Sequence, residues 1–197
     1  FGMDRGTPVD RYYIENFLRE NKDLIRGNVL EIAESAYSRK FGTDISKYEV
    51  LHTKEGRNVT IVGDLTNIAT LPENRIDCFI CTQTLNFIYD FKAALKGSYF
   101  LLKPGGVMLA TVAGISQISR YDMDRWGDYW RFTTLSVKKI FEEIFQDEVL
   151  VKSYGNALAA TAFLQGMAAE ELTPEELDHK DEDYQLLITV VAKKKTA

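Results

Sequence analysis

Short apolar runs typical of buried strands alternate with amphipathic helical segments along this chain. The runs lie at 27–35, 48–52, 58–64, 76–85, 107–112, 148–154 and 184–192. Between them, apolar stripes predict a helix over 91–102, closed by Lys103, Pro104, Gly105 and Gly106, and a second helix capped by Thr133 or Thr134. The second helix is expected to turn five residues inward: Leu135, Ile140, Phe141, Ile144 and Phe145.

This alternation predicts an α/β fold with a doubly wound, mostly parallel, Rossmann-like sheet and one antiparallel strand near the C-terminus. Ligands of such sheets bind at the carboxyl ends of the strands. With 197 residues and 45% hydrophobic content, the chain suits one domain over 1–197. We expect an N-terminal lid helix within 1–26 and a helical insertion over 157–183, before the last strand.

The net charge and the hydropathy of the chain indicate which classes of binding partner to expect. A formal net charge of -5 lacks the basic excess that binding a phosphate backbone requires, so no nucleic acid partner is expected. No run approaches the length of a membrane span, and the first ten residues do not resemble a signal peptide. We therefore expect a cytoplasmic protein without a membrane partner, either a monomer or a homodimer.

The first helix is predicted to begin after Thr7, a capping residue, with Pro8 in its first turn. Val9, Tyr13 and Phe17 recur every four residues on one face, so the helix should pack across the ligand end of the sheet. Four polar or aromatic side chains are candidates for a lid over that end, although a packed and partly solvated helix would explain them equally: Arg5, Arg11, Tyr12 and Tyr13.

Cys78 and Cys81 have the spacing of redox and zinc sites but lie inside an apolar strand run. Their odd offset places them on opposite faces of that strand. No second cysteine pair accompanies them, so neither a metal site nor a disulfide is expected.

Polar side chains follow the predicted strands where a nucleoside would bind. Glu31 ends the first strand, where it could face an ammonium group or simply accept hydrogen bonds from amides at a helix N-terminus. Asp64 could accept a hydrogen bond from an adenine amine while Leu65 packs on the ring, or it could be an ordinary turn residue. Thr82 and Gln83 follow the fourth strand and either line the site or only end the strand.

The segment 114–134 lacks a steady period and is rich in aromatic and charged residues, so it is predicted to be a functional loop. Its candidates for substrate binding are Tyr121, Trp126, Tyr129 and Arg131. Its candidates for a general base are Asp122, Asp124 and Asp128. Trp130 and Phe132 are interpreted as structural anchors, and Arg131 could instead pair with an acid.

Taken in order, GNVLEIAES, IVGDL, DCFICTQTL, LLKPGGVML and DYWRFT resemble the landmarks of class I S-adenosylmethionine-dependent methyltransferases. The resemblance covers about 27–145, and it implies S-adenosylmethionine as cofactor and in-line methyl transfer from sulfur. It also implies that backbone amides of the first turn, with Asp64 and Leu65, bind the cofactor. DYWRFT resembles a segment of small enzymes that methylate sugars, lipids or small metabolites, so we expect O-methylation of a small-molecule or glycan-type acceptor.

The chain departs from that family in the first turn, where the usual glycine-rich segment is Ala33, Glu34, Ser35, Ala36 and Tyr37. Ala33 and Ser35 could still fit the path of such a turn, whereas Tyr37 must take another one. Ala33 and Glu34 remain candidates for cofactor contact. His52 stands near the place where that family has a ribose-binding acid, and Glu55 in the following loop could substitute for this acid. His52 could instead be an ordinary packed or solvated loop residue. A non-catalytic binding module on the same fold is therefore the alternative. A nicotinamide-dependent dehydrogenase is less consistent, because G-x-G-x-x-G is missing.

Overall fold

A computed structural model describes residues 1–146 and 148–196 of the chain. Its strands are β1 (Gly27–Ile32), β2 (Ile45–His52), β3 (Ile61–Val62), β4 (Ile76–Thr82), β5 (Leu102–Ala113), β6 (Val149–Tyr154) and β7 (Leu187–Lys193). Its α-helices are α1 (Val9–Glu20), α2 (Ala36–Phe41), α3 (Phe91–Leu101), α4 (Arg120–Met123), α5 (Thr134–Phe145), α6 (Ala157–Leu164) and α7 (Pro174–Asp178).

The seven strands form one sheet in the order β3-β2-β1-β4-β5-β7-β6. Strands β1 to β5 pair in parallel, whereas β7 runs antiparallel to both β5 and β6. The order reverses between β1 and β4, which places a crevice at the carboxyl ends of these two strands. The predicted fold class, including the antiparallel strand near the C-terminus, is confirmed.

Helices cover both faces of the sheet and divide the core into two clusters. One cluster contains buried residues of α3 and α5, with Phe79 and Cys81 of β4. The other contains buried residues of α1 and α6, with Cys78 of β4. The two cysteines thus lie on opposite faces of the strand, as their spacing predicts. Both are free thiols in buried surroundings, and burial raises the pKa of each.

Helix α5 shows how far local sequence patterns determine the structure. Thr133 caps it in a reciprocal capping box with Ser136, and Gln146 ends it with a left-handed φ of 52°. Phe141 and Phe145 are buried as predicted, but Leu135 is 65% exposed. Val137 takes the inward position instead. The prediction for Leu135 was wrong because a residue two positions before Val137 lies about 200° around the helix from it and so faces away from the core.

Three segments differ locally from the sequence predictions. The LKPGG segment is the irregular beginning of β5 rather than a separate helix stop, and a register shift accompanies it between Ile76 and Cys78 of β4. The β3 strand has only two residues. The loop 114–134 contains the short helix α4, whose first turn Ser119 caps by accepting a hydrogen bond from the Asp122 amide.

The N-terminal segment is bound to the chain after α6. Pro8 forms an isolated bridge with Ala168, and the Ala169 amide donates to the Thr7 carbonyl at 2.7 Å. The Thr7 hydroxyl donates to Glu170 rather than capping α1, which begins after Pro8, so the predicted cap was wrong. Helix α1 lies on one face of the sheet, with Tyr13 and Phe17 in the core. Among the described residues, no helix has the length and apolar character that crossing a membrane requires.

Candidate functional site

Two adjoining cavities open at the carboxyl ends of β1, β2 and β4. The first, here called the β2-side cavity, has a volume of about 480 Å³. The second, the α1-side cavity, has a volume of about 590 Å³. Five residues line both cavities and so mark their junction: Ile32, Ala33, Gln83, Phe87 and Asp122. The site therefore has two compartments at the position where an open α/β sheet binds its ligands.

The β2-side cavity brings together residues from the ends of two strands that the sequence analysis singled out separately. His52 at the end of β2 lines it together with Asp64 and Leu65, which follow β3. The Oδ1 atom of Asp64 accepts hydrogen bonds from the amide and the hydroxyl of Thr66, both at 2.8 Å. Leu65 is only 4% exposed and offers an apolar floor. The arrangement combines an acid with a flat apolar surface, which suits a purine ring.

Trp126 and Tyr129 also line the β2-side cavity. The Trp126 ring meets the His52 ring edge to face, with centroids 5.9 Å apart. Tyr129 packs in the same way on Tyr89 at 5.3 Å. Both aromatic residues were predicted to bind substrate, but the structure places them on the same side as Asp64 and Leu65, where they wall the compartment that suits the nucleoside.

The α1-side cavity is lined by Glu34 and Thr82 from the ends of β1 and β4, and by Tyr121 from α4. Tyr121 is 65% exposed, and the guanidinium of Arg125 lies 3.5 Å from its ring centroid. Thr82 adjoins the junction residue Gln83, whose φ of 48° turns the chain away from the strand. This compartment is the polar one, with residues from α1, the first turn and the loop 114–134 around it.

The first turn takes the path of a glycine turn without containing one. Ala33 has a φ of 65°, in the left-handed region that a side chain disfavours. Tyr37 follows in α2, where its ring stacks on Phe41 and lines the α1-side cavity. Burial raises the pKa of Tyr37 to about 12, so its hydroxyl is protonated at neutral pH. The altered turn therefore keeps an open cavity beside Ala33.

Both carboxylate oxygens of Glu31 accept hydrogen bonds from within the chain. Its Oε2 accepts from the Tyr37 amide at 3.1 Å, and its Oε1 accepts from the Ser38 amide at 2.8 Å and from the Ser38 hydroxyl. The side chain is buried, and this burial raises its pKa although the Ser38 and Tyr37 hydrogen bonds lower it. Glu31 lines neither cavity. Of the two roles that the sequence left open, the structure favours the acceptor at a helix N-terminus.

Asp128 and Arg131 form a buried clamp rather than a pair of free site groups. Arg131 Nη1 donates to Asp128 Oδ1 at 2.6 Å, and Nη2 donates to Oδ2 at 3.0 Å and to the Gln117 carbonyl at 2.7 Å. Ser119 adds an amide hydrogen bond to the carboxylate. Burial raises the pKa of Asp128, but these hydrogen bonds and the charge of Arg131 outweigh it, so the pKa lies below its ordinary value.

Both residues line the α1-side cavity, but the clamp weighs against the roles that the sequence suggested for them. A carboxylate with a lowered pKa and two occupied oxygens is a poor general base, and a guanidinium engaged on both edges is a poor substrate ligand. Asp128 and Arg131 instead hold the loop 114–134 in shape. Trp130 assists them, since its Nε1 donates to the Ile88 carbonyl at 3.1 Å and its ring packs on Phe91. The anchoring interpretation of Trp130 thus fits its contacts, and Phe132 is buried as well.

The two remaining aspartates of the loop differ in position. Asp122 lines both cavities, and its Oδ2 accepts from the Ser119 hydroxyl at 2.6 Å. Asp124 is exposed at the end of α4 and lines neither cavity. Glu55, the substitute for a ribose-binding acid, is likewise exposed and outside both. Of the three aspartates in this loop, Asp122 is therefore the one that lines both cavities.

The structure also adds residues that the sequence analysis missed. Asp10 in the first turn of α1 lines the α1-side cavity, as do Asn86 after β4 and Gln117 after β5. Asn86 Oδ1 and Gln117 Oε1 are buried, with no hydrogen-bond partner among the described residues. No periodic signal marks these positions. The signal in the sequence that could have revealed Asn86 and Gln117 is an amide side chain shortly after a buried strand.

Most of the predicted lid residues are used elsewhere. Tyr13 is buried and donates its hydroxyl to the Leu177 carbonyl at 2.7 Å, while Tyr12 donates to Asp178. Arg5 pairs with Glu171 at the surface. Of the four candidates, Arg11 alone lines the α1-side cavity. The N-terminal segment still closes this cavity, but through other residues, namely Phe1, Met3, Pro8, Asp10 and Ile14.

Comparison with known proteins shows what the sequence and the fold are similar to. A family model described as a methyltransferase domain matches residues 26–110, from the beginning of β1 into β5. The fold is similar to that of a SAM-dependent methyltransferase from Archaeoglobus fulgidus, with a TM-score of 0.59 and 12% identity over 93% of this chain and 94% of that one. No curated protein sequence matches the chain.

Two further solved structures show the range of the fold. The N-methyltransferase NodS from Bradyrhizobium japonicum, in complex with S-adenosylhomocysteine, gives a TM-score of 0.58 at 14% identity over 98% of this chain and 90% of that one. The [4+2]-cyclase SpnF gives 0.57 at 13% identity over 94% and 82%. The chain therefore has the fold of these S-adenosylmethionine-dependent methyltransferases.

Proposed function

We propose that the protein transfers the methyl group of S-adenosylmethionine to an oxygen atom of a small-molecule or glycan-type acceptor. The observation that supports this proposal is the position of Asp122, which lies at the junction of the two cavities. A group at that junction faces both compartments, so it can reach a nucleophile held in line with the sulfonium. Cytoplasmic location and a monomeric or homodimeric state stay predictions.

In this proposal the β2-side cavity holds the adenosine. Asp64 accepts a hydrogen bond from the adenine amine, and Leu65 packs on the ring. His52 and Trp126 border the ribose end, since they meet at the end of β2. The amides of the turn at Ala33 and Glu34, with Thr82 and Gln83, hold the methionine part on the way to the α1-side cavity. The bound cofactor supplies the electrophilic methyl group.

The chemistry left to the chain is orientation, exclusion of water and removal of a proton. Asp122 receives the hydroxyl proton of the acceptor as its oxygen attacks. Its hydrogen bond from the Ser119 hydroxyl fixes the carboxylate, and Ser119 is in turn held through its amide by Asp128. The clamp of Asp128 and Arg131 therefore positions the base indirectly. Tyr121 and the N-terminal segment cover the acceptor.

Two measurements test this proposal. Calorimetric titration should show micromolar binding of S-adenosylmethionine and S-adenosylhomocysteine and none of a nicotinamide dinucleotide, and Asp64→Ala should weaken it by about tenfold or more. The control is Asp23→Ala, an exposed acid before β1. Transfer of labelled methyl to a panel of hydroxyl acceptors should fall by about 10²-fold or more in Asp122→Asn.

The matched control for the transfer assay is Asp124→Asn, in the same helical segment but outside both cavities. Full activity after replacing Asp122, Asp124 and Asp128 together would refute a carboxylate base from this loop. The second candidate function is a non-catalytic binding module, which the glycine-free turn favours. Failure of the wild-type protein to bind either cofactor form would select that function.

A further inference from the structure

Strand β6 forms one edge of the sheet, and β7 is its neighbour among the described strands. The pairing with β7 is regular from Val149 to Tyr154, without a shift in register. Proteins commonly protect such an edge with a proline, a bulge or a very short strand. The opposite edge follows this rule, since β3 has only two residues. Strand β6 has six residues and no proline, so it is a regular edge that another strand can extend.

The hydrogen bonds to β7 show which backbone groups of β6 point outward. The Lys193 amide donates to the Glu148 carbonyl at 3.1 Å, in the register of the strand pair. In an antiparallel pair, residues that bond to the neighbouring strand alternate with residues whose N–H and C=O groups point away from it. Counted from Glu148, the backbone groups of Val149 and Val151 therefore point away from β7, towards the edge of the sheet.

The side chains of β6 alternate between a covered face and an exposed one. Val149 and Val151 pack against the core cluster that contains α5. On the other face Leu150 is 52% exposed, and the side chains of Glu148 and Lys152 on either side of it are exposed as well. No ion pair between described residues uses either of these two charges. The exposed face thus carries one apolar residue between two opposite charges.

This pattern is complementary to itself in one register. When a two-fold axis passes at Leu150, the outward backbone groups of Val149 bond to those of Val151 in a second copy. Leu150 then meets its own counterpart, and Glu148 lies opposite Lys152 of the second copy on both sides of the axis. Opposite charges in directly opposed positions stabilise a strand pair.

Neighbouring registers lose this match. An axis at Val151 places each Lys152 opposite Leu150 of the other copy, so the lysine has no acid as its partner. An axis at Lys152 places two lysines opposite each other, which destabilises a strand pair. The charges therefore select the register centred on Leu150.

Leu150 also lies at the end of an apolar row that a second copy would continue. It is paired with Val191 of β7, which is partly buried against the core. In the centred register the row extends from Val191 through Leu150 to the same two residues of the second copy. Pairing removes the exposed leucine from water, and this burial adds to the backbone hydrogen bonds and the ion pairs.

We propose that the protein forms a two-fold symmetric homodimer in which β6 pairs antiparallel with β6 of a second copy, in the register centred on Leu150. The two sheets then become one continuous sheet. Because β7 is antiparallel to both β5 and β6, strand β6 runs in the same direction as the parallel strands. The two cavities therefore open at opposite edges of the combined sheet, and both stay accessible. This inference does not depend on the proposed function.

Sedimentation velocity over about 1 to 200 μM protein tests for the dimer, because an interface built on one strand pair is small and its dissociation constant should be micromolar. The wild-type protein should change from monomer to dimer within this range. Val151→Pro should remain monomeric throughout, since proline removes an outward N–H group that takes no part in the pairing with β7. Its thermal unfolding shows whether it is folded.

Charge reversal tests the register. Glu148→Lys places lysine opposite lysine, and Lys152→Glu places glutamate opposite glutamate, so each variant should dimerise about tenfold or more weakly. An equimolar mixture of the two variants restores both ion pairs in a heterodimer, and the double variant restores them in a homodimer. Both should return to within about threefold of the wild-type dissociation constant.

The charge-reversal variants change exposed side chains, so they carry the test if Val151→Pro fails to fold. Lys96→Glu, an exposed position on α3, is the matched control for a change of net charge and should dimerise like the wild type. All of these variants lie outside the two cavities, so their affinity for S-adenosylhomocysteine should equal that of the wild type.

A wild-type protein that stays monomeric at every concentration would overturn the proposal. A dimer that Val151→Pro and both single reversals leave unchanged would also overturn it, because such a dimer uses another surface. Single reversals that weaken the dimer, without recovery in either the mixture or the double variant, would overturn the register and the proposal with it. Failure of the wild-type protein to bind S-adenosylhomocysteine would bear on the proposed function alone.

Discussion

The altered first turn has a conformational cost, and a single residue, Ala33, bears it. Its φ of 65° is a glycine conformation adopted by a residue with a Cβ atom. Ala33→Gly should therefore raise the free energy of unfolding by about 1 kcal/mol through relief of this strain. The greater conformational entropy of glycine in the unfolded chain offsets part of that gain. Urea unfolding measures this as a higher midpoint at an unchanged slope.

The control for that substitution is Ala93→Gly, within α3, where the backbone is helical. This variant should lose about 0.5 to 1 kcal/mol, because glycine weakens a helix and no strain is relieved. If both variants lose stability to the same extent, the left-handed turn at Ala33 is not a source of strain.

The sequence predicted which residues lie near the site, but it did not predict what each of these residues does there. The sequence placed Glu31 and Asp128 near the ligand end of the sheet, and they are there. Whether a carboxylate is free depends on donors that the sequence pattern does not show: the amide of Ser38 for the first and the guanidinium of Arg131 for the second. Asp10 was missed for the same reason, since burial rather than spacing distinguishes it.

At the scale of elements, α3 touches the turn after β3 at one glycine. A Cβ atom on Gly97 would lie 2.0 Å from the Leu65 carbonyl oxygen. Glycine in a helix normally costs about 1 kcal/mol relative to alanine, so alanine would be the better residue in a free helix. Here Gly97→Ala should instead lower the free energy of unfolding by about 1 to 3 kcal/mol, as overpacking does.

The same variant should weaken binding of S-adenosylhomocysteine by about tenfold or more, because the clash displaces Leu65 and the adjacent Asp64 from the β2-side cavity. Chemical unfolding and calorimetry give the two values. Lys96→Ala, the exposed neighbour on α3, should change neither. A Gly97→Ala protein as stable as wild type would show that α3 does not set the position of this turn.

Element boundaries were predicted where a local signal exists. The capping box of α5 and the buried strand runs gave correct elements, since their hydrogen bonds and periodicity are local. Thr7 was assigned wrongly because its partner is set by tertiary structure, whereas Leu135 lies on the face of α5 opposite to Val137 and Phe141. Thr7 meets Glu170, which lies 163 residues further along the chain, and no pattern around residue 7 reveals that contact.

At the scale of the whole molecule, alternation of strands and helices was enough to predict the sheet and the edge at which it binds ligands. The two cavities were not predictable, because the N-terminal segment is held at the edge by distant contacts such as the bridge of Pro8 with Ala168 and the hydrogen bonds of Thr7 with Ala169 and Glu170. The loop 114–134 reaches the same edge through the clamp of Asp128 and Arg131. Both closures depend on contacts between parts of the chain that the sequence presents as unrelated.

The clamp links this architecture to acid stability. The pKa of Asp128 is lowered in the folded protein, so the unfolded chain binds its proton at a higher pH. The stabilisation from this carboxylate is therefore fully present above its ordinary pKa of about 3.9 and is lost as the pH falls through the lowered folded value. Asp128→Asn should cost about 2 kcal/mol at neutral pH, as the loss of charged hydrogen bonds does.

That cost should shrink steadily below about pH 4, so the stability curves of variant and wild type converge in acid. Urea unfolding at a series of pH values checks the convergence. Asp124→Asn, whose side chain is exposed in the same loop, should follow the wild-type curve within about 0.5 kcal/mol at every pH. A constant difference between Asp128→Asn and wild type down to acid pH would mean that Asp128 acts through packing and neutral hydrogen bonds rather than through its charge, and the loop would then owe its shape to Trp130 and Phe132.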